Sequence, residues 1–137
     1  LPAQVVPAPV AVESIVKISL EKLPPPFSLE CISAHGYAAA QLQQLSRAQL
    51  FLEASCSEAK LRVGRSMQTT EFWSILLPDV ALQNLISREH FEISVEARGL
   101  LLGNLSASGT WVNGKLIQDS TSVKDGDVVC IGSIPND

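Results

Sequence analysis

Three short pieces of this chain carry residue types suited to holding a single oxyanion. Gly64-Arg65 places a guanidinium, with its five N–H donors, where a strand runs out into a loop. Ser87-Arg88-Glu89-His90 supplies a hydroxyl, a second cation and an imidazole at the start of another strand. The run from Ser106 through Ala107, Ser108, Gly109, Thr110, Trp111 and Val112 to Asn113-Gly114 is a hydroxyl-rich loop leading into a strand and a turn. Hydrogen bonds from cations to an anion are the stronger class, so one phosphate-sized ligand suits these parts. Other chemistries lack their components. No Ser/His/Asp or Cys/His set stands at suggestive spacing and no Walker-type glycine loop occurs, so no catalytic residue is assigned and no enzyme is expected. His35 and His90 have no cysteine or carboxylate at ligand spacing, so neither a metal nor another cofactor is expected.

Those pieces need a scaffold, and the composition can supply one. The chain has 137 residues, 46% of them hydrophobic and 18% charged, with a formal net charge of −4. That is enough apolar material for one domain with a real core. The acidity argues against nucleic-acid binding, which draws on clustered basic residues. No run approaches the roughly 18 apolar residues that cross a membrane. Residues 1–12 are apolar but carry three prolines and no basic start, so they do not read as a signal peptide. A start at Leu1 rather than Met is expected of a piece of a larger protein. Cys31, Cys56 and Cys130 form neither a disulfide framework nor a CxxC pair, which points to buried thiols in a reducing compartment, nuclear or cytoplasmic.

The order of elements reads as follows. Residues 1–26 are an extended, Pro-rich leader, in which 14–21 alternate partly and have the character of an edge strand; Pro24-Pro25-Pro26 ends that unit. Residues 27–32 alternate as a half-buried strand, and 37–47 favour a helix. Residues 49–54 and 60–65 read as a strand pair joined by a small polar loop. The stretch 70–85, with Phe72, Trp73, Ile75, Leu76 and Leu77, reads as helical and cut by Pro78. Its apolar patch reads as the packed side of an inserted helix, with a partner-binding surface as the alternative. From 86 onward the pattern is all-β, with strands at 90–96, 99–104, 110–112, 115–118 and 127–132. Asn113-Gly114 between two of them is the strongest short hairpin signal, residues 124–127 form a second turn, and Trp111 is expected in the core.

Taken in order, GR at 64–65, SREH at 87–90, SASGTWVNG at 106–114 and KDGDVVCIG at 124–132 resemble the forkhead-associated (FHA) domain family. The resemblance covers about 61–132, with 27–32 as the first strand. It implies an all-β, FHA-like antiparallel sandwich over 27–137, with short helical insertions near 37–47 and 70–85. It also implies a non-catalytic module that binds a Thr-phosphorylated protein or peptide in signalling. By the same resemblance Arg65, Ser87 and Arg88 contact the phosphate, while Ser108, Gly109 and Asn113 belong to the peptide-binding loop. Gly64, His90, Thr110 and Gly114 support it. For Arg88 a salt bridge with Glu89 or Glu92 is the alternative.

The departures from the family pattern are specific. Ser108 stands where an asparagine usually clamps the peptide backbone, and Ala107 where a hydroxyl often nears the phosphate. The stretch 66–86 is longer than the family's, and 37–54 is a further insertion. The family has one more strand after Ile-Gly, so a last strand that is cut off, disordered or replaced by the N-terminal segment is expected. A phosphate-independent scaffold or self-associating domain is the alternative function.

Overall fold

Alternating apolar and polar residues build two stacked antiparallel sheets. The computed structural model describes residues 13–22, 26–35, 37–55 and 57–134. Its elements run β1 (Glu13–Glu21), β2 (Ser28–Ala34), α1 (Ala39–Gln43), α2 (Arg47–Leu50), β3 (Phe51–Glu53), β4 (Lys60–Val63), α3 (Thr70–Leu76) and α4 (Val80–Gln83). They continue with β5 (Phe91–Glu96), β6 (Gly99–Asn104), β7 (Thr110–Val112), β8 (Lys115–Ile117), β9 (Ser120–Val123) and β10 (Val128–Ile134). One sheet has the order β3-β2-β1-β10-β7-β8 and the other β4-β5-β6-β9. The fold is thus an all-β sandwich with short helical insertions.

Residues two apart on a strand share a face. Phe91 and Ile93 of β5, Leu102 of β6, Leu29 of β2 and Val129 and Ile131 of β10 are all fully buried between the sheets. Each such side chain contributes roughly 1.5–3 kcal/mol on leaving water.

The 66–86 segment folds because its ends are specified locally. Thr69 caps α3 by accepting the Phe72 N–H at 3.1 Å, and Glu71 sits favourably in the first turn. Asp79 caps α4 through Ala81 N–H at 2.9 Å, just after Pro78. Trp73, Leu76 and Leu77 are buried, and the Phe72 ring meets Trp73 edge-on at 5.0 Å. The packed reading of this patch holds for those residues. Tyr37 ties the earlier insertion to it by donating its hydroxyl to Ile75 O.

Several expectations need correction. Residues 13–21 are not an edge strand of a leader: β1 lies inside the six-stranded sheet, antiparallel to both β2 and β10. Ile18 pairs with Cys31 on one side and Val129 on the other. The flank of β10 is therefore filled by the N-terminal strand rather than left as a truncated edge. β3 and β4 are not a pair either; they belong to different sheets, and the loop between them crosses the sandwich with one bridge, Ser55 to Lys60. The 37–47 helix is shorter than expected, and α2 takes residues 49 and 50 from the expected strand. β9 was not anticipated, because STSV carries almost no apolar content.

Trp111 is half-buried rather than a core residue. Thr110 and Val112 take the inward positions of β7, so period two turns Trp111 outward, level with Cys130 and Leu116. The buried tryptophan is Trp73. Cys31 and Cys130 are buried free thiols, and burial pushes the Cys31 thiol up to about 12. Cys56 and the leader residues 1–12 lie outside the described residues.

Candidate functional site

The end of β4 and the segment leading into β5 run side by side, and this alignment brings Arg65, Ser87 and Arg88 together. Arg65 N–H donates to Ser87 O at 2.8 Å, Ser66 N–H to Arg88 O at 3.0 Å, and His90 N–H to Val63 O at 2.8 Å. So close a passage demands glycine at 64: a Cβ there would stand 2.2 Å from Arg88 O. The turn is fixed from two further directions. Trp73 Nε1 donates to Gly64 O at 3.0 Å, and the Gln68 amide accepts from Gly64 N at 3.0 Å while donating to Arg62 O at 2.9 Å. Gln68 thereby satisfies the outer edge of β4 as a neighbouring strand residue would.

Arg65 is half-buried, and its guanidinium is held by uncharged acceptors, the second of them at an exposed position. Its Nε donates to Ile86 O at 3.2 Å and its Nη1 to Asn84 Oδ1 at 3.1 Å. Among the described residues neither Arg65 nor Arg88 has a carboxylate in ion-pair range. Arg88 is exposed, and the alternative salt bridge to Glu89 or Glu92 is not formed. Both carboxylates turn to Arg62 instead, Glu92 at 3.3 Å.

The hydroxyl loop is joined to this mouth. Ser87 Oγ lies 2.6 Å from Ser106 Oγ, which also accepts the Ser108 N–H at 3.1 Å. Asn104 organises the loop: its Oδ1 accepts from Ser106 N at 3.1 Å and Thr110 Oγ1 at 2.8 Å, and its Nδ2 donates to Ser106 O at 2.8 Å. His90, fully buried, staples the two halves. Its Nδ1 accepts the Ser87 N–H at 3.1 Å, which leaves the proton on Nε2, and Nε2 donates to Gly109 O at 3.0 Å. Burial holds the imidazole below its ordinary pKa, with the Gly109 bond pulling weakly the other way.

Of the residues singled out from sequence, Arg65, Ser87 and Arg88 are brought side by side along the main chain. Ser87 is tied to the Ser108-Gly109 loop through Ser106 and His90, with Gly64 and Thr110 in the same two segments. Ala107 and Ser108 are exposed at the loop tip. Asn113 and Gly114 are not part of the cluster. They form the β7–β8 hairpin turn, both at positive φ, and the Asn113 amide is spent on Asp127 Oδ1 at 3.0 Å and Val128 N at 2.9 Å. Asn113 thus fastens the hairpin to β10. The sequence reading missed Asn104 and gave Ser106, the first residue of the hydroxyl loop, no role of its own; it also missed Gln68 and Asn84. The first two were visible in principle, since Asn-x-Ser-x-Ser is the pattern of an Asx turn followed by a serine turn.

With this geometry in place, the family comparison is decisive: the FHA domain model matches residues 61–132, more than half of the chain. The chain belongs to the FHA family. No curated protein matches it. FHA domains are non-catalytic protein–protein interaction modules, which makes this chain an interaction module by family. The FHA match begins within β4 and ends within β10, so β1, β2 and β3 complete the six-stranded sheet from outside the matched stretch. Among the described residues no helix is long and apolar enough to cross a membrane.

Proposed function

We propose that this FHA domain captures the phosphate of a Thr-phosphorylated protein or peptide at the mouth formed by Arg65, Ser87 and Arg88, mediating protein–protein recruitment in signalling. The observation that carries the reading is the state of Arg65. Two of its five N–H donors are engaged by neutral oxygens, no carboxylate among the described residues neutralises it, and its backbone is bonded to Ser87, which presents the hydroxyl. A charge-assisted bond to phosphate contributes about 1.5–3 kcal/mol net. A few such bonds on exposed loops give an affinity on the order of micromolar. Ser108 offers one hydroxyl to the peptide backbone, so the contacts beyond the phosphate are sparse.

An oriented phosphothreonine library, run beside its unphosphorylated twin, tests this. Wild-type chain retains phosphorylated peptides only, and Arg65→Ala retains neither while keeping its far-UV spectrum. Equal retention by Arg65→Ala and wild type defeats the reading. The phosphate-independent, self-associating alternative draws on the eroded loop positions Ala107 and Ser108 and on an exposed 72–77 patch; the burial of Trp73, Leu76 and Leu77 removes most of that patch and leaves the first ground standing. Sedimentation showing concentration-dependent dimers would revive it.

A further inference from the structure

The side chain on which anion capture turns is held by a segment outside the family's motifs. Asn84 and Ile86, the two acceptors of Arg65, close the 66–86 insertion: Asn84 is the C-cap of α4, and Ile86 is fully buried. The cap geometry fixes the Asn84 backbone, whose N–H bonds back to Leu82 O and Val80 O. Its side chain is therefore delivered to Arg65 by a folded element rather than by a loose loop. Both acceptors are uncharged. They orient the guanidinium and leave its positive charge intact, whereas a carboxylate at the same place would orient and neutralise it together.

We infer that Asn84 is a positioning residue for anion capture, holding Arg65 in the rotamer that meets the phosphate while leaving its charge and three of its N–H donors free. The inference rests on the phosphopeptide reading above and deepens it. A long flexible side chain loses rotamer freedom on binding, and a side chain ordered beforehand does not lose it again. The amide at 84 matters as much as the reach. Asparagine and aspartate have the same shape, and only the amide avoids placing a negative charge beside the incoming anion.

Two measurements test this on the 137-residue chain. In the free protein, the Arg65 side-chain N–H signals show slow rotation in wild type and fast rotation in Asn84→Ala, with exposed Arg98 as the mobile reference. In titrations with a retained phosphothreonine peptide, Asn84→Ala binds about 3- to 10-fold more weakly, the scale of one net hydrogen bond. Asn84→Gln, which keeps an amide acceptor, recovers most of the loss. Asn84→Asp loses the most, on the order of 10- to 100-fold, while melting no lower than Asn84→Ala. A merely structural role would leave Asn84→Asp with wild-type binding, and that result, or an Arg65 as mobile as Arg98, overturns the inference. A wild-type chain that binds no phosphothreonine peptide defeats the phosphopeptide reading alone. The Arg65 signals, with inorganic phosphate titrated into wild type and Asn84→Asp, then decide Asn84.

Discussion

Arg62 and Arg65 stand three residues apart at the end of one strand, and their surroundings give them opposite roles. Arg62 projects from the β4–β5 ladder and is held by Glu89 and Glu92, which raise its pKa above the ordinary arginine value, the Glu89 bond most strongly. Its charge is spent on its neighbours. Arg65 lies past the ladder and is held by a carbonyl and an amide, so its charge stays available. Ion pairing and neutral hydrogen bonding both fix a guanidinium in space, and only the second leaves a site for an anion. Glu89 contributes twice to this contrast. It follows Arg88 directly in sequence, yet by turning to Arg62 it leaves Arg88 without a competing carboxylate.

The largest expected effect comes from closing the gap that separates the two arginines. Gly64→Ala puts a methyl 2.2 Å from Arg88 O, backbone against backbone, so one of the two segments must move. The expected cost is about 1–3 kcal/mol or more, as for overpacking of a rigid core. The shift also breaks the Arg65–Ser87 main-chain bond, so phosphopeptide binding falls with stability. Chemical denaturation read beside a peptide titration checks both. A variant as stable as wild type would mean that the close passage does not define the site.

A smaller effect follows from the imidazole that joins Ser87 to Gly109. His90 titrates below the ordinary histidine value because burial disfavours the charged ring. The unfolded chain therefore takes up a proton that the folded chain resists. The stability due to neutral His90 is fully present above about pH 6.5 and is lost as the pH falls below it. The slope reaches at most about 1.4 kcal/mol per pH unit, the limit for one proton. Protonation also removes the acceptor for the Ser87 N–H, so acid weakens the mouth on the Arg65 side and spares the Arg62 ladder. Denaturation midpoints at pH 7.5, 6.5 and 5.5 should fall in wild type, and His90→Gln should start lower but lose that slope. An unchanged slope in His90→Gln would assign the acid sensitivity elsewhere.

What the sequence made legible follows the range of the interactions. β5, β6 and the Asn113-Gly114 turn were plain because alternation and turn chemistry are local, and GR, SREH and the hydroxyl loop marked the convergence of Arg65, Ser87 and Gly109. The interior place of β1 was not legible: the pairing of Glu13 with Ile134 spans almost the whole chain, and a strand's own residues say little about which strands will flank it. The two tryptophans show the same limit. Trp111 sits among strong strand residues, but its parity on β7 turns it outward, while Trp73 is buried by an insertion whose docking no local pattern specifies. Asn84 and Gln68 act through acceptors and donors brought to them by that docking, so their roles appear only in three dimensions. Asn113 looked like a binding residue because its motif is distinctive, and the motif records a hairpin.

The smallest effect sharpens the comparison most directly. Arg62→Ala removes a cation three residues from the site and frees Glu89, while Glu92 keeps its second partner, Lys60, at 3.8 Å. Exposed ion pairs contribute little to folding, so the denaturation midpoint should move only slightly and the difference should shrink further in high salt. Binding should fall modestly, because an uncompensated Glu89 now stands near the anion and is also free to turn toward Arg88. That second route predicts a signature: the weakening should be larger at low ionic strength, and Arg62→Ala combined with Glu89→Gln should bind better than Arg62→Ala alone. If Arg62→Ala instead abolishes binding as Arg65→Ala does, the two arginines act on the ligand together, and the division between a spent and an available charge fails.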